Sequence, residues 1–120
     1  MEFPPRNERS RKVGVLKRSE CAVLPLVLKG KWYDMIASGE KREEYRDFKP
    51  FWHKRLEKWW TRKPGDTRKR VVAFSRGYRK ADMFLVAIGL CMTDTIGCPE
   101  WGEPNTPHWV ISLGRRVDLV

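Results

Sequence analysis

"LPLVLKGKWYDMIASGEKREEYR", residues 24–46, decides the fold class. Its first residues continue an apolar run, "CAVLPLVL" (21–28), that is short enough for a strand and apolar enough for a buried one. The period then changes. Trp32, Met35 and Ile36 stand at i, i+3 and i+4, which predicts a helix of about two turns over 31–38. Gly39 supplies its end, because glycine readily takes the left-handed conformation that closes helices. "KREEYR" (41–46) then alternates in the manner of a strand with two chemically different faces. Strand, helix, glycine stop and charged strand form one α+β unit.

Downstream, "FKPFWHKRLEKWW" (48–60) predicts a second helix, with Phe48, Trp52, Leu56, Trp59 and Trp60 as an aromatic stripe. Lys54, Lys58 and Arg62 follow at i, i+4 and i+8 as a basic row. "KPGD" (63–66) is a turn signal. "RVVAFS" (70–75), "MFLVAIGLCM" (83–92) and "HWVISLGRRVDL" (108–119) are strand-like runs separated by breakers. The loop "GCPEWGEPNTP" (97–107) suits neither regular state, and no internal repeat is present. Residues 1–18 are polar and basic with Pro4 and Pro5, and are expected to form a flexible arm. Residues 19–120 are expected to be a single domain: a mainly antiparallel β-barrel with two or three short helices packed at its openings.

Charge is the strongest compositional signal. The 120 residues carry a net charge of +10, and twelve basic against five acidic side chains in residues 41–70 account for +7 of it. Residues 1–20 add +3, while 21–40 and 71–120 each balance. Such concentration favours a polyanionic partner, nucleic acid before all, with an acidic protein as the alternative. The three cysteines, Cys21, Cys91 and Cys98, form no CxxC pair, so neither a disulfide framework nor a metal site is expected. No signal-like or membrane-spanning apolar stretch is present, which suggests a cytoplasmic protein with no membrane partner; a monomer and no cofactor are expected.

Several residues are candidates for chemistry. Lys41, Glu44 and Arg46 are either a salt-bridge cluster or a site in which the cations engage phosphate while Glu44 orients them or accepts a hydrogen. Strict alternation places Arg42, Glu44 and Arg46 on one strand face, so Lys41 joins Glu44 only if it belongs to the turn after Gly39. Lys29 and Lys31 flank a helix N-terminus, where free N–H groups favour an anion; the alternative is an ordinary surface turn. The Lys54, Lys58, Arg62 row is either a solvated helix face or a track for a phosphate backbone. Trp59 and Trp60 read as core, whereas Trp101, in a Pro/Gly loop, is either an ordinary structural ring or a surface on which a base stacks. Ser75, Tyr78 and Ser112 have no base partner legible in the chain, which gives no support for a nucleophilic triad.

The spacing Gly39, Lys41, Glu44, Arg46, a glycine-x-lysine-x-x-glutamate-x-arginine signature behind an apolar strand and short helix, resembles the ASCH domain family of the PUA-like superfamily. The likeness is strong over about residues 22–56 and extends in layout to the "PGD" turn and the terminal "WVISLG" strand. It implies a PUA-like barrel with a cleft beside the signature that holds RNA or a modified nucleotide. Some relatives look like hydrolases, either ribonucleases or amidohydrolases that remove an acyl group from a modified cytidine. In that reading Lys41 is a general base or electrostatic catalyst and Glu44 a proton shuttle. The acyl-removing group carries threonine where this chain has Glu44, a departure that speaks against the threonine-dependent chemistry. The leading expectation is therefore a binding module, with an enzyme in the same cleft as the alternative.

Overall fold

The apolar run becomes a strand because its inward side chains, Leu24, Leu26 and Leu28, find a core while Pro25 and Val27 face out. In a computed structural model, which describes residues 14–93 and 107–120, the elements run in a fixed order. They are β1 (Val15–Leu16), β2 (Cys21–Leu28), α1 (Gly30–Ala37), β3 (Glu43–Asp47), α2 (Pro50–Trp60), β4 (Lys69–Arg76), β5 (Met83–Thr93) and β6 (His108–Leu119), with a single 3-10 turn at Arg18–Glu20. Val15–Leu16, inside the stretch expected as an arm, pairs in parallel with the end of β6.

The sheet runs β1-β6-β5-β4-β2, and β3 also pairs with β6. It is mixed: among the described residues three of its five ladders are antiparallel, in line with the strand runs, and two are parallel. β2 lies parallel to β4 from Cys21↔Lys69 to Leu28↔Arg76, while β3–β6, β4–β5 and β5–β6 are antiparallel. The cause is the long connection. Between β2 and β4 the chain makes α1, β3 and α2, enough to cross over and re-enter in the same direction. Strand-forming residues carry no mark of that direction.

The sheet curls into a half-barrel. Register shifts between Leu85 and Gly89 bend β5 against β6. Gly114 permits the close approach there, since a Cβ on it would lie 2.8 Å from Ile88 Cγ2 and 3.1 Å from the Val86 carbonyl oxygen. Among the described residues no ladder joins β2 to β3, so the half-barrel stays open along that seam.

Two helices close the core. Ile36 of α1 and Leu56 and Trp59 of α2 are buried with Leu24, Leu26, Phe74 and Ile111. Trp59 satisfies its indole by donating to the Ala22 carbonyl at 2.8 Å, which ties α2 to β2. Helix α2 starts at Pro50, whose missing N–H costs nothing in the first turn. Phe48 therefore precedes the helix and Arg62 follows it. Trp60 packs half-buried against the core, as does Trp32. No helix among the described residues is long and apolar enough to cross a membrane.

Gly39 closes α1 in the left-handed region, at φ 82°. Its N–H donates to the Ile36 carbonyl and the Lys41 N–H to the Met35 carbonyl, both at 3.0 Å. A side chain at this φ costs about 1–2 kcal/mol. Gly39→Ala is expected to lower stability by about that amount, measured by denaturant unfolding. An unchanged unfolding midpoint would show that the turn accepts a Cβ without strain.

Candidate functional site

The turn after Gly39 delivers Lys41 inward before the strand begins, and Lys41 is 1% exposed. Its ammonium donates to Glu44 Oε1 at 2.9 Å. The same oxygen accepts the Tyr45 N–H at 2.9 Å and lies 3.4 Å from Arg46 Nη1. Glu44 is also 1% exposed, and its other oxygen, Oε2, has no hydrogen-bond partner among the described residues. Arg46 donates to the Tyr45 carbonyl at 2.7 Å and reaches across the seam to the Val27 carbonyl of β2 at 3.5 Å. A surface salt-bridge cluster would be solvated; this one is a buried ion pair under a half-buried guanidinium.

Aromatic rings wall the pair. Lys41 Nζ lies 5.4 Å from the centre of the Trp32 ring and 5.6 Å from that of Tyr45. Arg46 and Arg55 both approach the Trp52 ring, at 5.2 and 5.7 Å, and Arg55 also lies 5.3 Å from the Phe51 ring. Lys41, Glu44, Arg46, Trp32, Trp52 and Lys29 all line one cleft of about 520 Å³ in the open seam, with Phe51 and Arg55 at the α2 wall. Four lining cations, Lys29, Lys41, Arg46 and Arg55, stand against the single carboxylate of Glu44. The cleft is therefore an anion-attracting, aromatic-walled site with one unpaired acceptor at its floor.

Helix α1 is held over the cleft from its other face. Tyr33 donates to Asp82 at 2.6 Å, and Arg76 bridges Asp34 at 3.3 Å while its guanidinium covers Gly30. Burial first, and then the Asp82 hydrogen bond and charge, push the Tyr33 hydroxyl up to about 12.

The expected site residues separate into groups. Lys29, Lys41, Glu44 and Arg46 come together. Lys31 is exposed on α1, 4.8 Å from the Trp32 ring and outside the cleft lining. The basic row does not share one helix: Lys54 and Lys58 stand on α2 and Arg62 lies past its end. Lys54 is exposed, and Lys58 lines a neighbouring cleft. Arg62 lies beyond the end of α2 and is spent on the turn, donating to the Asp66 and Arg68 carbonyls. Trp101 and Cys98 lie outside the described residues. Trp32, Phe51, Trp52 and Arg55 are the lining residues that sequence reasoning missed, since helical period groups rings as core without saying which stripe edge meets an opening. No cluster of metal-ligating side chains occurs among the described residues.

Scans against protein-family models, curated proteins and solved structures give no match for this chain.

Proposed function

We propose that this chain is an ASCH-type, PUA-like domain that binds RNA or a modified nucleotide in the seam cleft. The observation that carries the reading is the meeting of Lys41, Glu44 and Arg46 with Trp32 and Trp52 in one positively charged opening. Each part matches a part of a nucleotide. The indole rings offer faces for a base, and Arg46 and Lys29 attract phosphate. Glu44 Oε2, buried beneath the cleft without a partner among the described residues, is an acceptor that a base or sugar hydrogen would meet once the side chains above it move. Lys41 holds Glu44 in place by neutralising it from below.

The test is titration of the whole chain with single-stranded RNA, structured RNA and acetylated cytidine, followed for both binding and product. Arg46→Gln is expected to weaken binding at least tenfold, or about 1.4 kcal/mol, with its unfolding midpoint close to wild type. Trp52→Ala is expected to weaken binding as much and, because Trp52 packs against the core, to lower the midpoint too. Equal affinity in both variants would remove the cleft from the interface.

One observation favours the hydrolase alternative: a lysine and a carboxylate in direct contact, 2.9 Å apart and shielded from water, are a chemically reasonable proton relay. Product formation that disappears in Glu44→Gln while the chain stays folded would support it. Salt-sensitive binding without product supports the binding module.

A further inference from the structure

A second cleft, of about 390 Å³, adjoins the first: Pro25 and Arg55 line both. Together they form a continuous groove along the free edge of β2. From Ala22 to Leu28 that edge is about 20 Å long at a strand's rise of about 3.3 Å per residue. Arg55, Lys58 and Arg68 face the groove, and no acidic residue lines its second half. Arg68 is engaged by Asp66 at 3.1 Å, whereas Arg55 and Lys58 have no ion-pair partner among the described residues. On the α2 wall of the first cleft stands Phe51, 61% exposed, with the guanidinium of Arg55, which lines both clefts, against its ring.

Free nucleotide recognition leaves this arrangement unused. A mononucleotide fills the first cleft and needs neither an exposed ring at its mouth nor cations further along the strand. A polymer needs both. Single-strand sites combine a basic groove that follows the backbone with aromatic faces on which successive bases stack. A duplex keeps its bases stacked on one another and so offers no free base face to Phe51.

Resting on the nucleotide reading above, we infer that the ligand is an extended single strand of nucleic acid. One base enters the Lys41–Glu44–Arg46 cleft, a neighbour stacks on Phe51, and the backbone runs along β2 past Arg55 and Lys58.

The experiment is fluorescence anisotropy of the whole chain with labelled oligouridylate and oligodeoxythymidylate from one to about six nucleotides long. A polyglutamate peptide of matched charge serves as competitor. Affinity is expected to rise about tenfold or more from the mononucleotide to the hexamer. Arg55→Glu/Lys58→Glu is expected to abolish that rise and to flatten the salt dependence by about 1.4 in log–log slope, the value for two single-strand phosphates. Tighter binding of the RNA series assigns the track to RNA, and the reverse assigns it to DNA. A hexamer that binds no better than a mononucleotide overturns the track and leaves the cleft reading standing. Displacement of the hexamer by polyglutamate at equal concentration overturns it in favour of an acidic protein. No binding at any length overturns both readings. The length series in the wild-type chain decides the matter even if the double variant fails to fold.

Discussion

Lys41→Ala is expected to destabilise the domain by about 3–5 kcal/mol, the cost of leaving one member of a buried ion pair alone. Both residues are 1% exposed. Glu44 Oε1 would keep only the Tyr45 N–H and a 3.4 Å approach from Arg46, and Oε2 already lacks a partner. The consequence for function is practical. At a solvated turn, Lys41→Ala would change stability by about 0.5 kcal/mol or less, and any loss of affinity would report on the ligand directly. Burial mixes the two effects, so the lysine cannot be tested by truncation alone. Lys41→Met with Glu44→Gln removes both charges and keeps volume, and is expected to recover most of the lost stability. Denaturant unfolding of the three chains checks this. A single-variant loss below about 0.5 kcal/mol would mean that water reaches the pair and that the site is shallower than described.

The elements were legible where period and punctuation agree. Gly39 marked the end of α1, and the three late apolar runs became β4, β5 and β6. Strand direction was not legible, because "CAVLPLVL" reads the same whether β4 runs beside it or against it. The convergence of Lys41 with Glu44 was readable as a condition on the turn, and the Lys41 N–H bond to Met35 meets it. Three of the four cleft cations, Lys29, Lys41 and Arg46, were readable, but the one from α2 was not, because the helix phase counts only to Trp60. Arg55, one residue off the expected row, meets the groove, while Arg62 folds back on the turn. Trp32 shows the same limit: the spacing that placed it with Ile36 does not tell a fully buried ring from one at the edge of an opening.

Arg70→Ala is expected to cost about 1–3 kcal/mol, the cost of leaving the buried Trp59 carbonyl unpaired. Arg70 is 2% exposed, and its guanidinium donates to the carbonyls of Trp59, Arg68 and Thr61 at 2.7, 2.8 and 3.0 Å. These include two of the carbonyls that end α2, which no intrahelical donor reaches. The planar fork of arginine serves three of them at once, so Arg70→Lys is expected to recover only part of the loss. Arg70 also donates to Asp66 at 2.9 Å. Hydrogen bonds from Arg68 and then Arg70 hold the Asp66 carboxyl well below the usual carboxylate range. A carboxyl lowered in the folded state stabilises it above the unfolded pKa, and that contribution is lost as the pH falls through the folded one. Part of the Arg70 contribution should therefore fade in strong acid, and Asp66→Asn should remove that part at neutral pH. The effect reaches the site because α2 carries Trp52 and Arg55 on one wall of the cleft. Loosening its last turn should weaken oligonucleotide binding in Arg70→Ala although Arg70 lines a separate pocket beside Trp60 and Thr61. Unfolding midpoints and anisotropy titrations on Arg70→Ala and Arg70→Lys check both halves. A stability loss with unchanged affinity would show that the cleft wall stands without the helix's C-terminal anchor.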